Sequence, residues 1–462
     1  DDQNVTTDNQ AFYYLVINNT QGTFDDIIIV DSLNVDSNLT ITDGNLNLLS
    51  NNPNVNLAGN LSIGTSGLVT KGTGTWTFDG TTATTYTDST ATPQDIGIVS
   101  INKTDTVAPG TNNKLTLASS MTVDIMTIDG TVGSPDTLDL GSSGYTLTLA
   151  SAGETATVLT VSGTLTPGTS TVKYTATNSV GNVNVTTTIY NSLQLSGAET
   201  YDLTGNLTSG FSNALTGNLT IDTGATLDVV DLSNYGITLA GNWANSGTFT
   251  ARSGTVTFNG TTQQTITTGG VGAGKLFNNL SLNNTGTDGT ANDDIVISGN
   301  LDVDGIFTIT NGQLRLDTNN PNVNTAGNVS IGTNGSVTKG TGTWTFDGTG
   351  TSTWTDSSTA SGQDIGAVSI NGTTKTINLA SSVKATSVNV ATGQTLGLGS
   401  SSYTLTLTGS GTGASRPFIV SGTLNEGTGG DLAGSGSTVR FSGTSNTEIE
   451  AETYNSLDLS PS

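Results

Sequence analysis

The segment Asn51 to Asp79, NNPNVNLAGNLSIGTSGLVTKGTGTWTFD, returns as NNPNVNTAGNVSIGTNGSVTKGTGTWTFD from Asn319 to Asp347, an offset of 268 residues by subtraction. A chain that repeats itself folds as copies of one unit, each leaning on the next, so the repeat bounds the fold before any local reading does. Two shorter matches support it. LGSSGYTLTL at Leu140 pairs with LGSSSYTLTL at Leu398, and YNSLQLS at Tyr190 pairs with YNSLDLS at Tyr454.

A finer period lies beneath the long one. An aromatic or Ile, two residues, then apolar-x-apolar occurs at Phe12, Ile96, Tyr190, Phe277, Ile365 and Tyr454. The spacings by subtraction are 84, 94, 87, 88 and 89 residues. A second marker, a hydroxyl residue, an apolar one, any residue and an aromatic, keeps the same rhythm. It reads Thr75-Trp76-Thr77-Phe78, Thr171-Val172-Lys173-Tyr174, Thr255-Val256-Thr257-Phe258, Thr343-Trp344-Thr345-Phe346 and Thr438-Val439-Arg440-Phe441. Together the markers divide the chain into five modules of about 88 residues: 12–95, 96–189, 190–276, 277–364 and 365–453. Modules four and five repeat one and two. Residues 1–11 read as the closing strand of a preceding module, and 454–462 as the opening strand of a further one.

The second marker alternates apolar and polar with period two, which is a strand with one buried face. Trp76, Phe78, Tyr174, Phe258, Trp344, Phe346 and Phe441 are expected inside, with Lys173 and Arg440 outside. Gly, Thr, Ser and Asn dominate the polar residues, and all of them weaken helix interiors. The expected fold is therefore all-β. A parallel β-solenoid (β-helix), with turns of roughly 20 residues and about four turns per module, fits the short strands and the absence of Pro-rich linkers. Tandem immunoglobulin-like β-sandwiches remain the alternative, because they are of similar length per module.

The stretch GNWANSGTFTARSGTVTFNGTTQQTI from Gly241, followed by LFNNLSLNN from Leu276, resembles repeat tracts of large secreted bacterial and archaeal surface proteins. That adhesin-like resemblance implies a β-helical fold and a place outside the cell. It brings no catalytic residues with it.

Composition narrows the chemistry. The chain has 462 residues, 12 Lys plus Arg against 37 Asp plus Glu, a formal charge of -25, no Cys and no His. Disulfides, thiolate or imidazole metal sites and Ser-His-Asp triads are excluded. Nucleic acid and anionic membrane surfaces are repelled. No apolar run approaches the roughly 18 residues of a membrane helix. Paired carboxylates remain open to catalysis, since a glycosidase needs only two acids. The adjacent pair Asp25-Asp26 has a repeat partner in Asp293-Asp294, and a duplicated pair suits a structural turn better than a single active site. These four acids, with Asp302 and Asp304 nearby in sequence, are also the calcium candidates, since Ca²⁺ takes several oxygens in flexible geometry.

Sequons such as Asn38, Asn60, Asn218 and Asn328 occur about as often as the composition alone produces. Thr-x-Thr pairs such as Thr146-Thr148 and Thr404-Thr406 are too irregularly spaced for a flat ice-binding face. The expectation is a non-enzymatic, extracellular structural or adhesive surface protein without a resident cofactor. Its partners are itself, head to tail in a filament or surface layer, and surface glycans. A longer parent chain would also account for the part-modules at 1–11 and 454–462. A carbohydrate-binding or carbohydrate-active β-helix is the alternative, and its mark would be a cleft formed once per chain.

Overall fold

A computed structural model of the chain describes residues 2–20, 26–104, 112–130, 135–208, 215–287, 289–360, 362–399, 403–425, 437–449, 454 and 456–460. Among them there is no α-helix, only two single-turn 3₁₀ segments, Ala291–Asp293 and Gly413–Ser415. Strands of two to ten residues make up the rest of the regular structure. All the described strand pairs are parallel, each strand pairing with strands roughly one turn away in sequence. This is a parallel β-solenoid. Immunoglobulin-like sandwiches, whose sheets are antiparallel, are thereby set aside.

The chain forms two compact units, Asp1–Asp228 and Val229–Ser462. In the first, each turn contributes short strands to three ladders. One runs Leu33–Val55–Trp76–Val99–Met126–Leu159. A second runs Leu15–Leu39–Leu61–Tyr86–Leu117. A third includes Met121–Leu147–Val172–Leu193–Leu219. Corresponding ladders recur in the second unit, for example Leu301–Val323–Trp344–Val368–Val388–Phe418. Apart from half-buried Leu15, their apolar side chains are almost wholly buried, and so are all seven aromatics of the second marker. Each buried side chain of this size contributes on the order of 1.5–3 kcal/mol, which is how a chain with few aromatics acquires a continuous core.

The two sequence markers turn out to be neighbours. Trp76 pairs with Val99, Val172 with Leu193, Val256 with Leu280, Trp344 with Val368, and Val439 with Leu457. In all five cases the aromatic strand of one module is covered by the opening strand of the next.

The module is not four whole turns. The ladder of Leu15 reaches Leu117 after four turns, but the next module opens earlier, at Val99, on a different ladder. The third module opens at Leu193, on the remaining ladder. Leu280, opening the fourth, pairs with Phe307, the residue 268 positions after Leu39, and so recovers the neighbour that Leu15 has. Three modules must pass before a residue regains the same surroundings, so the closest identity lies near 268 residues and not near 88.

Asparagine closes the corners. The side-chain oxygens of Asn52, Asn54 and Asn60 accept from the backbone N–H of Thr73, Thr75 and Thr85 at 2.8, 3.0 and 2.8 Å. Asn320, Asn322 and Asn328 do the same for Thr341, Thr343 and Thr353 at 2.8, 2.9 and 3.0 Å. A strand leaves its ladder at a corner and its N–H loses a backbone partner; the Asn one turn below supplies one. This is why NNPNVN survives in both copies.

Candidate functional site

Of the sequence candidates, Asp25 lies outside the described residues. Asp26 is held by two amides: Asn45 Nδ2 and Asn47 Nδ2 donate to its two oxygens, each at 2.7 Å. Asp294 is 2 % exposed and forms an ion pair with Arg315 at 2.9 Å, with Gln263 donating at 3.4 Å. Asp302 accepts the backbone N–H of Gly272 at 2.7 Å. Burial, with Asp302 close by, raises the pKa of Asp304. Among the described residues no three acids gather in one place. The structure separates the adjacent acids Asp293 and Asp294: Asp294 faces Arg315, whereas Asp293, 6 % exposed, borders a cleft.

Other acids that look chemical in isolation are turn-to-turn fasteners. Asp356, 2 % exposed, accepts from the backbone N–H groups of Ser358 and Gln363 at 3.0 and 2.6 Å, fixing the loop that follows it. Asp88 does the same for Thr90 and Gln94 at 2.9 and 2.6 Å. Lys71 bridges Asp95 and Asp124 at 2.5 and 2.6 Å, and Lys339 pairs with Asp364 at the matching place.

Lys103 and Asp136 are buried and shifted toward neutrality, the lysine down to about 8 and the acid up to about 6, both chiefly through burial. Opposed shifts of this kind often mark a reactive centre. Here the second unit argues otherwise. Asp136 accepts from the Lys103 backbone N–H at 3.0 Å, and Gln394 accepts from the Lys375 backbone N–H at 2.5 Å in the same way. An amide does that work without a titratable group, so the acid serves as an acceptor.

Three of the sequon residues are corner caps. Asn38, Asn60 and Asn328 each present their side-chain oxygen to a backbone N–H one turn on. The Thr-x-Thr pairs do not build an array either: Thr148 sits in register with Lys173, and Thr406 with Arg440.

The cleft in the second unit is built on a bend. The long strands Phe307–Arg315 and Val329–Thr338 run side by side across a corner of the solenoid, with a register shift between Ile309 and Asn311. Two glycines make the bend feasible. Gly312 has φ +86°, a left-handed conformation that favours glycine. At Gly335 a Cβ would sit 2.3 Å from the Ile309 carbonyl oxygen. The floor carries Gln313, Thr333, Asn334 and Ser336. One wall holds Gly289 and Asp293, the latter at the end of a 3₁₀ turn capped by Thr290. The opposite wall is the loop fastened by Asp356. Its Gln363 is stitched to the floor, donating to Gly335 O at 2.9 Å and accepting from Val337 N at 3.0 Å. The cleft is open to solvent, with a volume of about 410 Å³.

Gln313, Thr333, Asn334 and Ser336 were not foreseen from the sequence. A signal was present. Asn51–Asp79 and Asn319–Asp347 differ at four positions: Leu57/Thr325, Leu61/Val329, Ser66/Asn334 and Leu68/Ser336. Thr325 and Val329 are buried, and the other two differences both fall in the cleft floor. Comparison with family models, with curated proteins and with solved structures finds no match to this chain.

Proposed function

We propose that this chain is a structural or adhesive component of the cell exterior, a solenoid scaffold whose turns stack on one another and on further copies of themselves. One observation carries the reading. The polar groups that recur at the long offset, Asp88 with Asp356, Lys71 with Lys339 and the corner asparagines, act from one turn to the next or fasten the loop beside them. Residues duplicated for stacking describe a scaffold better than a single reactive centre. The formal charge of -25 and the polar, uncharged outer positions suit an exposed, hydrated surface.

Self-association follows the same logic: a fold built by laying one parallel strand on the next extends when a further copy adds its strands edge to edge, and a contact of this head-to-tail kind propagates when it does not close.

Sedimentation velocity and electron microscopy of the full chain test the reading. Concentration-dependent linear association is expected. A chain that stays monomeric at high concentration overturns the assembly. Robust turnover of a polysaccharide, abolished by one Asp substitution, overturns the scaffold.

A further inference from the structure

We infer that the cleft floored by Gln313, Asn334 and Ser336 is a binding site for a neutral, hydroxyl-rich saccharide. The inference deepens the adhesive reading by naming a ligand class, and it rests on that reading only for its biological setting.

Four observations lead there. The first is that these polar side chains are not used by the fold. Corner asparagines elsewhere cap the next turn, yet among the described residues Gln313, Thr333, Asn334 and Ser336 make no side-chain hydrogen bond to the protein. Donors and acceptors left open on a shaped floor suit a ligand that brings several of its own.

The second observation is rigidity. The wall loop is pinned by buried Asp356 and tied to the floor through Gln363, so the site is formed before any ligand arrives. Preformed sites avoid the ordering cost of binding.

The third is lining chemistry. Among the described residues that line the cleft, every side chain is polar apart from the glycines, and none is aromatic, aliphatic or cationic. A peptide or a lipid would want apolar anchors, and a phosphate or nucleic acid would want cations. Asp293 at the wall disfavours anions further. Hydroxyl groups, which donate and accept, fit amides, hydroxyls and a carboxylate alike. The volume of about 410 Å³ lies at the small end of ligand pockets, which span about 300–1,000 Å³, and suits a short saccharide segment.

The fourth is that the lining differs between copies. The first unit has Leu68 where the second has Ser336, and Leu68 is 46 % exposed. Asn45, in the place of Gln313, is engaged with Asp26 and Thr70. Within a segment otherwise nearly identical, the second unit's copy thus carries Asn334 and Ser336 where the first has Ser66 and Leu68.

The test uses the full chain and a panel of neutral oligosaccharides of glucose, mannose, galactose and N-acetylglucosamine, with binding read by NMR titration or calorimetry. Binding of at least one of them is expected, reduced at least tenfold by Ser336→Leu and by Gln313→Ala/Asn334→Ala. Ser336→Leu installs the residue that the first unit already carries, so the fold should tolerate it, and circular dichroism verifies that. No binding across the panel overturns the inference, as does binding that Ser336→Leu and the double variant leave unchanged, or preference for an anionic ligand or a peptide. Self-association is read separately on the same samples. Loss of sugar binding with association intact leaves the scaffold reading standing, and the reverse result leaves the saccharide site standing.

Discussion

Trp76 lies directly against Val99 in the adjacent parallel strand, and Trp344 lies against Val368 in the same way. Each pair joins one module to the next, so the modules are interlocked across their boundaries. Damage at one seam should spread to neighbouring turns and fade beyond them.

Phe258 tests the seam. It is fully buried and pairs in register with Leu282. Phe258→Ala should cost about 3–5 kcal/mol. Hydrogen exchange should show lost protection in the strands Thr255–Phe258 and Asn279–Asn283 first. Unchanged stability and exchange there would refute the inward placement.

Asp356 tests the fastened loop. Asp356→Ala removes the acceptor for the Ser358 and Gln363 N–H groups. Hydrogen bonds to a charged group contribute about 1.5–3 kcal/mol each, so the wall of the cleft should loosen. Limited proteolysis should cut between residues 357 and 363 in the variant and not in the parent. Asp88→Ala should act likewise on the loop after Asp88.

Arg315 tests the buried acid. Arg315→Ala leaves Asp294 buried without its ion-pair partner. Leaving a buried acceptor without its partner costs about 1–3 kcal/mol, toward the low end here because Arg315 itself reaches solvent, and chemical denaturation at neutral pH measures it. Arg315→Ala/Asp294→Asn should recover most of that loss. If the double variant is no better than the single one, the charge pairing is not what holds this corner.

Asp136 carries the pH prediction. Its pKa is raised in the folded protein, from the ordinary 3.8 to about 6. Between those values the folded chain holds a proton that the unfolded chain has released. This contribution is fully present below about 3.8 and is lost as pH rises through about 6. Asp136→Gln, which copies the acceptor seen at Gln394, should flatten that part of the stability profile and stabilise the protein at pH 7. Urea denaturation from pH 4 to 7 reads it; an unchanged slope refutes the assignment.

Much of this fold was legible from local pattern. Period-two alternation in Thr-Trp-Thr-Phe sufficed to put Trp76 and Phe78 inside, because a strand has only two faces and one must leave water. The repeat made stacked turns the economical reading. The cleft was not legible in that way. Gln313 and Ser336 are ordinary polar residues at outward strand positions, and only the bend at Gly312 and Gly335 brings their strands together beneath the Asp356 loop.

The sequence by itself determined that the chain is all-β, that it repeats, and which residues face inward, since these follow from composition and from the two-residue period of a strand. Only the tertiary structure decided which strand lies on which. A module one strand short of four turns places each opening strand on a new ladder, so that Leu15, Val99 and Leu193 meet different neighbours despite one motif. It also decided that Asp293 and Asp294, adjacent in the chain, part company at the corner. Pairing between strands is set by how many residues each corner takes up, a sum over many turns, and no local stretch of sequence carries that sum.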